Sequence, residues 1–378
     1  MLKTIINFFV SSFLFPINIF IILKNYSRIK NKQNIVIQSI GGFGHTFTMP
    51  DLSRHYFGND LLYIWFIEKN RHNLNIRNIF EIDCLIIKNN FYFSILNFFA
   101  TIGEKEDNSY NFYEKILINL IKKINKKNIL VNNELYRYIE KKNVNIIDKQ
   151  YPKEHLWFSV YYYLKKNNNH KLQSKYIEEI LKKNKTLKKF LKYSSVKDKN
   201  VSIYLRNRGE DNLILRQNES VSNRNGSASK EYYELIKYLD KLNFNIFLTG
   251  DKIFKNNELL FFSKKVIDCN LLKKKDRDIL KIYFPLISNI YISEAGGGQF
   301  FGIYSKKFFL INQFPPFKYY NNSHVLLKNI YDKSLNRLLS DNEKYEKLFG
   351  KTVPDNNYLI KENNSKQILD FIKKELKV

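Results

Sequence analysis

Three stretches of this chain gather residue types able to do chemistry. The first is "NIVIQSIGGFGHTFTMPDLSR", residues 34–54, where an apolar run leads into Gly41, Gly42, Gly44 and His45, with Asp51 just after Pro50. Glycines after an apolar run let the backbone turn sharply and bring amides close to a ligand. Histidine titrates near neutral pH and can take a proton from a sugar hydroxyl. Asp51 is the alternative base, or else the residue that begins or caps a helix after Pro50. The plainer reading is a tight strand-to-helix turn without a ligand and a hydrogen-bonded, purely structural His45. The loop is not a Walker A loop, because no Gly-Lys-Ser/Thr follows, and Phe47 stands where a dinucleotide fingerprint needs its third glycine.

The second stretch is "VSIYLRNRGEDN", residues 201–212. Arg206 and Arg208 fall at the end of a strand pattern and Gly209 provides a turn. Arginine offers a planar fork of donors matched to phosphate oxygens. Two residues apart on extended backbone, the two side chains share a side; a surface pair is the plainer reading. Arg224 and Asn225 lie in the long polar loop before a helix that starts near Ser229, and Thr249-Gly250-Asp251 ends a further strand. The third stretch is "NIYISEAGGGQFFGIY", residues 289–304. It reads as a strand, then Ser293, Glu294, Gly296, Gly297 and Gly298, then a helix beginning near Gln299. Consecutive amides at a helix N-terminus form an anion site, and a nucleotide diphosphate is a natural occupant. Glu294 suits ribose or sugar hydroxyls rather than phosphate. The prolines of "INQFPPF", residues 311–317, make a rigid loop to cover the base.

Short, continuous apolar runs must position these residues. They fall at 34–40, 61–67, 83–87, 128–131, 201–205, 244–249, 265–268, 290–293 and 308–311. Runs without alternation suit strands buried on both faces of a parallel sheet. Helical periodicity separates many of them, at 110–126, 173–191 and 230–242, and a last helix covers Ser365 to Leu376. Strand–helix repetition predicts an α/β fold with mostly parallel sheet. The basic, polar stretch 183–200 before a fresh strand divides the chain into two α/β halves. The expected organisation is thus an N-terminal segment 1–32, a domain 33–195 and a domain 196–378. Tandem doubly wound domains bind ligands at the carboxyl ends of their strands.

Composition bounds the rest. The chain has 378 residues, 44% of them hydrophobic, enough for about two domains with a buried core. Lys plus Arg exceed Asp plus Glu by 27, which favours anionic partners such as phosphate-bearing substrates or acidic lipid. An Ile-, Asn- and Lys-rich composition also looks like a nucleotide bias, so functional weight rests on Arg, Gly and His positions. The lysines are scattered and no nucleic-acid module is legible. The two cysteines, Cys84 and Cys269, build neither a metal site nor a disulfide framework; both lie in or beside apolar runs and are expected to be buried in a reducing compartment. Ile5 to Leu23 carries no charge, and as helix its 19 residues would span about 28 Å. Pro16, Asn7 and Asn18 weaken it as a span. Lys24, Arg28, Lys30 and Lys32 follow it, which puts the body on the cytoplasmic side. A membrane anchor or in-plane helix is expected, with a helix docked on the body as the alternative.

The second half resembles a family of glycosyltransferases encoded in bacterial surface-polysaccharide loci. The stretches that carry the resemblance are "IYLRNRGE", "NRNGSASKEYYELIKYL", "NIFLTGD" and "YISEAGGGQFFGIYSKKFFLIN", in that order over about a third of the chain. Fucosyltransferases with a His-x-Arg-Arg-x-Asp strand end are similar more distantly; that likeness implies a diphosphate-binding role for Arg206, with Arg208 secondary. Tyr204, Asn207 and Arg208 replace the histidine, aspartate and serine of the polysaccharide-locus motif. The "GGFGH" loop is similar to the Gly-Gly-x-Gly-Gly-His loop of the lipid-linked N-acetylglucosaminyltransferase of peptidoglycan synthesis, with one glycine absent. This implies two Rossmann-like doubly wound domains facing a cleft (GT-B), with His45 at the acceptor or sugar.

The reading that follows is transfer from a nucleotide-sugar donor to a surface-polysaccharide or lipid-linked glycan acceptor at the inner face of the cytoplasmic membrane. His45 or Asp51 is the base and Gly41, Gly42 and Gly44 line the acceptor side. Arg206, Arg208, Gly250, Asp251, Ser293, Glu294, Gly296, Gly297, Gly298 and Gln299 hold the donor. No metal, cofactor or nucleic-acid partner is expected, and inversion at the anomeric carbon is expected. The alternatives are another Rossmann-type nucleotide-dependent enzyme, an oxidoreductase or epimerase, and a nonenzymatic basic protein binding membrane or nucleic acid.

Overall fold

The computed structural model describes residues 2–38, 43–67, 79–80, 82–88, 112–132, 134–142, 175–205, 228–250, 263, 265–314, 316, 323–349 and 356–376. Two compact units emerge, Met1–Leu164 and Lys165–Val378. The division therefore falls earlier than the expected 195/196. The lysine-rich stretch belongs to the second unit, where Lys188–Lys199 coils in 3-10 turns and buries Phe190 and Tyr193. Phe190 meets Phe284 edge-on with ring centroids 5.6 Å apart, and Tyr193 meets Phe247 at 5.1 Å and Phe284 at 6.4 Å. Solvated lysines conceal this anchoring, which rests on two aromatic rings.

The first unit runs through α1 (Leu2–Lys24), α2 (Tyr26–Asn31), β1 (Asn34–Gln38), α3 (Phe43–Phe57), β2 (Leu61–Ile67), β3 (Cys84–Lys88), α4 (Phe112–Ile124), β4 (Asn128–Val131) and α5 (Glu134–Lys142). Its four strands form a parallel sheet in the order β3-β2-β1-β4. Ile35, Ile37, Leu62, Ile64 and Phe66 pack with Leu117, Ile118 and Ile121 of α4 and with Ile22 of α1. Each such side chain, fully buried, contributes about 1.5–3 kcal/mol of transfer free energy.

The second unit contains α6 (Lys175–Lys183), β5 (Asn200–Tyr204), α7 (Tyr233–Lys241), β6 (Asn245–Leu248), β7 (Val266–Asp268), α8 (Lys274–Ile287), β8 (Ile290–Glu294), β9 (Lys307–Gln313), β10 (Ser323–Leu327), β11 (Asn329–Asp332), β12 (Arg337–Leu338), α9 (Asp341–Leu348), β13 (Tyr358–Lys361) and α10 (Ser365–Leu376). Its main sheet has the order β10-β9-β8-β5-β6-β7, every neighbouring pair parallel. Numbered along the unit, that is 6-5-4-1-2-3, the order of the doubly wound nucleotide-binding fold. Apolar residues of β5, β6, β8 and β9 pack with α7 and with Ile368, Ile372 and Leu376 of α10 on one side. On the other, Phe247 stacks flat on Phe284 of α8 at 3.9 Å. A small antiparallel sheet, β12-β11-β13, is appended.

All nine expected strands are present to within a residue or two at their described ends, the usual latitude of an element boundary. The helix expected over 173–191 breaks at Asn184. Its side-chain oxygen accepts from the Thr186 amide at 3.0 Å and hydroxyl at 2.7 Å, and so competes with helical pairing. Cys269 is buried as expected, whereas Cys84 is only half-buried. Among the described residues no helix is long and apolar enough to cross a membrane. The side chains of α1 are described from Phe13 on, and there one flank of the helix docks on the body: Phe15, Ile19 and Ile22 pack against the first unit's core.

Candidate functional site

In a doubly wound sheet, ligands bind outside the carboxyl ends of the strands where the chain order reverses. In the second unit this point lies between β5 and β8, paired with Ile203 opposite Ile292 and Tyr204 opposite Ser293. The crossover from β5 leads to β6 on one side, and the one from β8 leads to β9 on the other. The two stretches singled out for a diphosphate thus leave neighbouring strands at one point. Leu205 is the last described residue after β5. Arg206 and Arg208, which follow in the chain, lie outside the described residues, as do Arg224, Asn225 and Asp251.

The β8 end is built tightly. Ser293 and Glu294 are the last residues of the strand and both are buried. The Ser293 hydroxyl donates to the Glu294 carbonyl at 2.8 Å. The Tyr232 hydroxyl, at the start of the helix leading into α7, donates to Glu294 Oε1 at 2.7 Å. Burial, and then the Glu294 charge beside it, push the Tyr232 phenol well above its ordinary range, so it stays a donor. Behind it, Asn312 holds a left-handed backbone (φ 55°) at the end of β9. Its Oδ1 accepts from the Asn363 amide at 2.8 Å and from the Asn363 side chain at 2.9 Å.

After Glu294 comes a coil of 3-10 turns, Gly297–Tyr304, rather than the α-helix expected from near Gln299. Glycines weaken α propensity, and i→i+3 bonds close the turns: Gln299 N to Gly296 O at 3.1 Å and Ser305 N to Gly302 O at 3.0 Å. Gly298 serves packing, because a β-carbon there would stand 2.3 Å from the Tyr204 ring. Its carbonyl accepts from the buried Tyr291 hydroxyl at 2.7 Å. Gly250 is likewise a close approach, since its β-carbon would lie 1.9 Å from the Leu205 carbonyl oxygen. Asn270 donates to the Gly250 carbonyl at 3.1 Å. Gln299 is buried, and its Oε1 has no hydrogen-bond partner among the described residues.

The first unit has its own reversal point, between β1 and β4. The loop after β1 leads there into α3, which begins at Phe43. Gly41 and Gly42 lie outside the described residues. Gly44 and His45 occupy the first turn of α3. Asp51 neither begins nor caps a helix: it lies buried in the middle of α3, after Pro50. Phe47, in the place of a third fingerprint glycine, is buried edge-on to Phe80 at 5.1 Å. Nearby, the Tyr63 hydroxyl donates to Gln38, and Thr48 pairs with the Tyr136 hydroxyl at 3.0 Å. Asn132, with φ 48°, returns its amide to the Ile37 carbonyl at 2.8 Å.

Tyr232, Asn312 and Asn363 were not singled out in the sequence, and Tyr204 was given no role there. Two of them carried a signal: Asn312 closes an apolar strand run, and Tyr204 replaces the histidine of the motif. Phe314, beside the "FPPF" prolines, is buried against Ile330, Leu339 and Leu348 beneath the small sheet; Pro315 lies outside the described residues. Among the described residues no group of three or more His, Cys, Asp or Glu side chains is placed to hold a metal ion. No protein-family model matches the chain, and no curated protein matches it.

Proposed function

We propose that this protein is a glycosyltransferase that moves a sugar from a nucleotide-sugar donor to a surface-polysaccharide or lipid-linked glycan acceptor. One observation carries the reading: the arginine-bearing stretch and the glycine-rich turn leave adjacent strands, β5 and β8, at the reversal point of a sheet with doubly wound order. The first unit repeats that arrangement with β1 and the His45 loop, which supports a donor half and an acceptor half of the GT-B kind. In the reaction the acceptor hydroxyl oxygen attacks the anomeric carbon and the carbon–oxygen bond to the diphosphate breaks. The hydroxyl proton passes to His45 or Asp51. The departing diphosphate is stabilised by Arg206 and Arg208 and by the amides of Gly296, Gly297 and Gly298. Displacement from the opposite face inverts the anomeric centre.

The same strand order also serves dinucleotide enzymes, which is the second reading. Calorimetry separates the two. A nucleoside diphosphate should bind the wild type, and Arg206→Ala should weaken it at least tenfold. Binding of a nicotinamide dinucleotide with no response to any nucleoside diphosphate would favour the oxidoreductase reading instead.

A further inference from the structure

Among the described side chains, helix α1 has two apolar faces, and one of them is used by the fold. Ile22 is fully buried and Asn18 nearly so, while Phe15 and Ile19 pack beside them on the core of the first unit. On the other side Phe13 is 71% exposed, Phe20 66%, Leu23 51% and Ile17 40%. With 3.6 residues per turn, Phe13, Ile17 and Phe20 fall within about 60° of arc, and Ile22 lies roughly opposite. The exposed set is therefore a stripe along the helix rather than scattered single residues.

The end of the helix is anchored. The Asn125 side chain donates to the carbonyls of Ile29 at 2.6 Å and Lys32 at 2.9 Å. Arg28 and Lys32 hold Asp83, Lys32 at 3.1 Å. Partial burial pushes Asp83 up, but these cationic donors outweigh it and hold its carboxyl below the usual range. A helix fastened along one flank cannot thread a bilayer without tearing Phe15, Ile19 and Ile22 from the core. It can lie in the plane of one.

The charge around the stripe selects the occupant. Leu2–Lys24 contains no acidic residue. Lys24 and Lys30 are exposed at its end, Lys30 above the Tyr26 ring at 5.6 Å from the centroid. Tyr26, the first residue of α2, is itself 44% exposed and carries an amphipathic ring. An exposed apolar stripe followed in the chain by exposed lysines and an exposed tyrosine, on a chain of net charge +27, matches the interface of an anionic bilayer.

We infer that the Phe13–Ile17–Phe20–Leu23 face of α1 docks in the plane of an anionic phospholipid surface, inserting its aromatic side chains while the opposite face stays on the protein core. This stands apart from the transferase reading, because it is read from partition rather than from nucleotide binding. The test is co-sedimentation of the full chain with vesicles of phosphatidylcholine alone or with phosphatidylglycerol. Binding is expected to the anionic vesicles, at least tenfold weaker to neutral ones, and falling with salt. Phe13→Ser/Phe20→Ser should lower partition at least tenfold with an unchanged Tm, since neither ring supports the core. Lys24→Glu/Lys30→Glu should lower it for anionic vesicles only. Undiminished binding by the double serine variant overturns the inference. A wild-type dimer that the serine variant converts to monomer, with no vesicle binding by either, also overturns it and assigns the face to a second copy.

Discussion

The ring of Tyr204 occupies the space where a β-carbon on Gly298 would stand, 2.3 Å from the nearest ring carbon. The last residue of β5 thus packs into the turn that leaves β8, and the glycine is required by the protein's own side chain. Gly298→Ala should destabilise the second unit by about 1–3 kcal/mol, the usual cost of overpacking. Tyr204→Leu should absorb most of that cost, so the double variant should be more stable than additivity of the single variants implies. Urea unfolding of the four proteins measures the coupling. Gly250→Ala has no such rescue, because its β-carbon would meet the backbone of Leu205.

The buried Tyr232–Glu294 bond makes a second prediction. Tyr232→Phe removes the donor and leaves a carboxylate oxygen buried beside a ring, which costs about 1–3 kcal/mol. Glu294→Gln keeps an acceptor of the same shape for that hydroxyl and should cost less. Thermal unfolding near pH 7 ranks them. A larger loss in Glu294→Gln than in Tyr232→Phe would show that the charge of Glu294, rather than its bond to Tyr232, is what the site needs.

Much of this arrangement was legible in the sequence, and the exceptions have physical causes. Strands buried on both faces announce themselves as continuous apolar runs, so β5 and β8 were readable. β11 alternates half-buried with buried residues and β13 half-buried with exposed ones, over four positions each, too short a pattern to separate from coil. The expected helix at Gln299 is 3-10 turns, in a glycine-rich stretch where the Tyr204 ring, 94 positions earlier in the chain, fills the space a side chain at Gly298 would need. The Tyr232–Asn312–Asn363 network was invisible for the same reason, its members being 51 to 80 residues apart. The helix-start alternative for Asp51 fails because Pro50 sits inside α3 rather than opening a helix.

The base is tested by separating binding from transfer. His45→Ala should leave nucleoside-diphosphate affinity within twofold of wild type and reduce turnover by about 100-fold or more, the range for a general base. Asp51→Asn is the parallel variant, with unfolding followed alongside because Asp51 is buried. Unchanged turnover in His45→Ala would remove His45 from the mechanism.

The small sheet should be acid-sensitive. Asp332 Oδ1 accepts from the Ser334 hydroxyl at 2.6 Å, the Ser334 amide at 2.9 Å and the Leu335 amide at 3.2 Å, and Lys347 holds Oδ2. These donors, the Ser334 hydroxyl foremost, lower its pKa from 3.8 to about 2. A depressed carboxylate stabilises fully above its ordinary pKa and loses that contribution as pH falls through its folded one. The stability gap between wild type and Asp332→Asn should therefore be constant near pH 6, shrink below about pH 4 and be smallest near pH 2. A gap independent of pH would mean that the carboxylate's charge contributes nothing.

Gln299 offers the sharpest separation of stability from function. Its Oε1 is buried at the glycine-rich turn without a hydrogen-bond partner among the described residues. A buried acceptor left unpaired costs about 1–3 kcal/mol, and an apolar side chain of similar shape avoids that cost. Gln299→Met should therefore raise the unfolding free energy by about 1 kcal/mol in the absence of ligand. If the amide serves the donor site, the same variant should bind a nucleoside diphosphate at least fivefold more weakly than wild type. A more stable protein with weaker binding would mark Gln299 as a residue kept for the ligand. A more stable protein with undiminished binding would strike it from the donor site and leave the diphosphate to the arginines after β5.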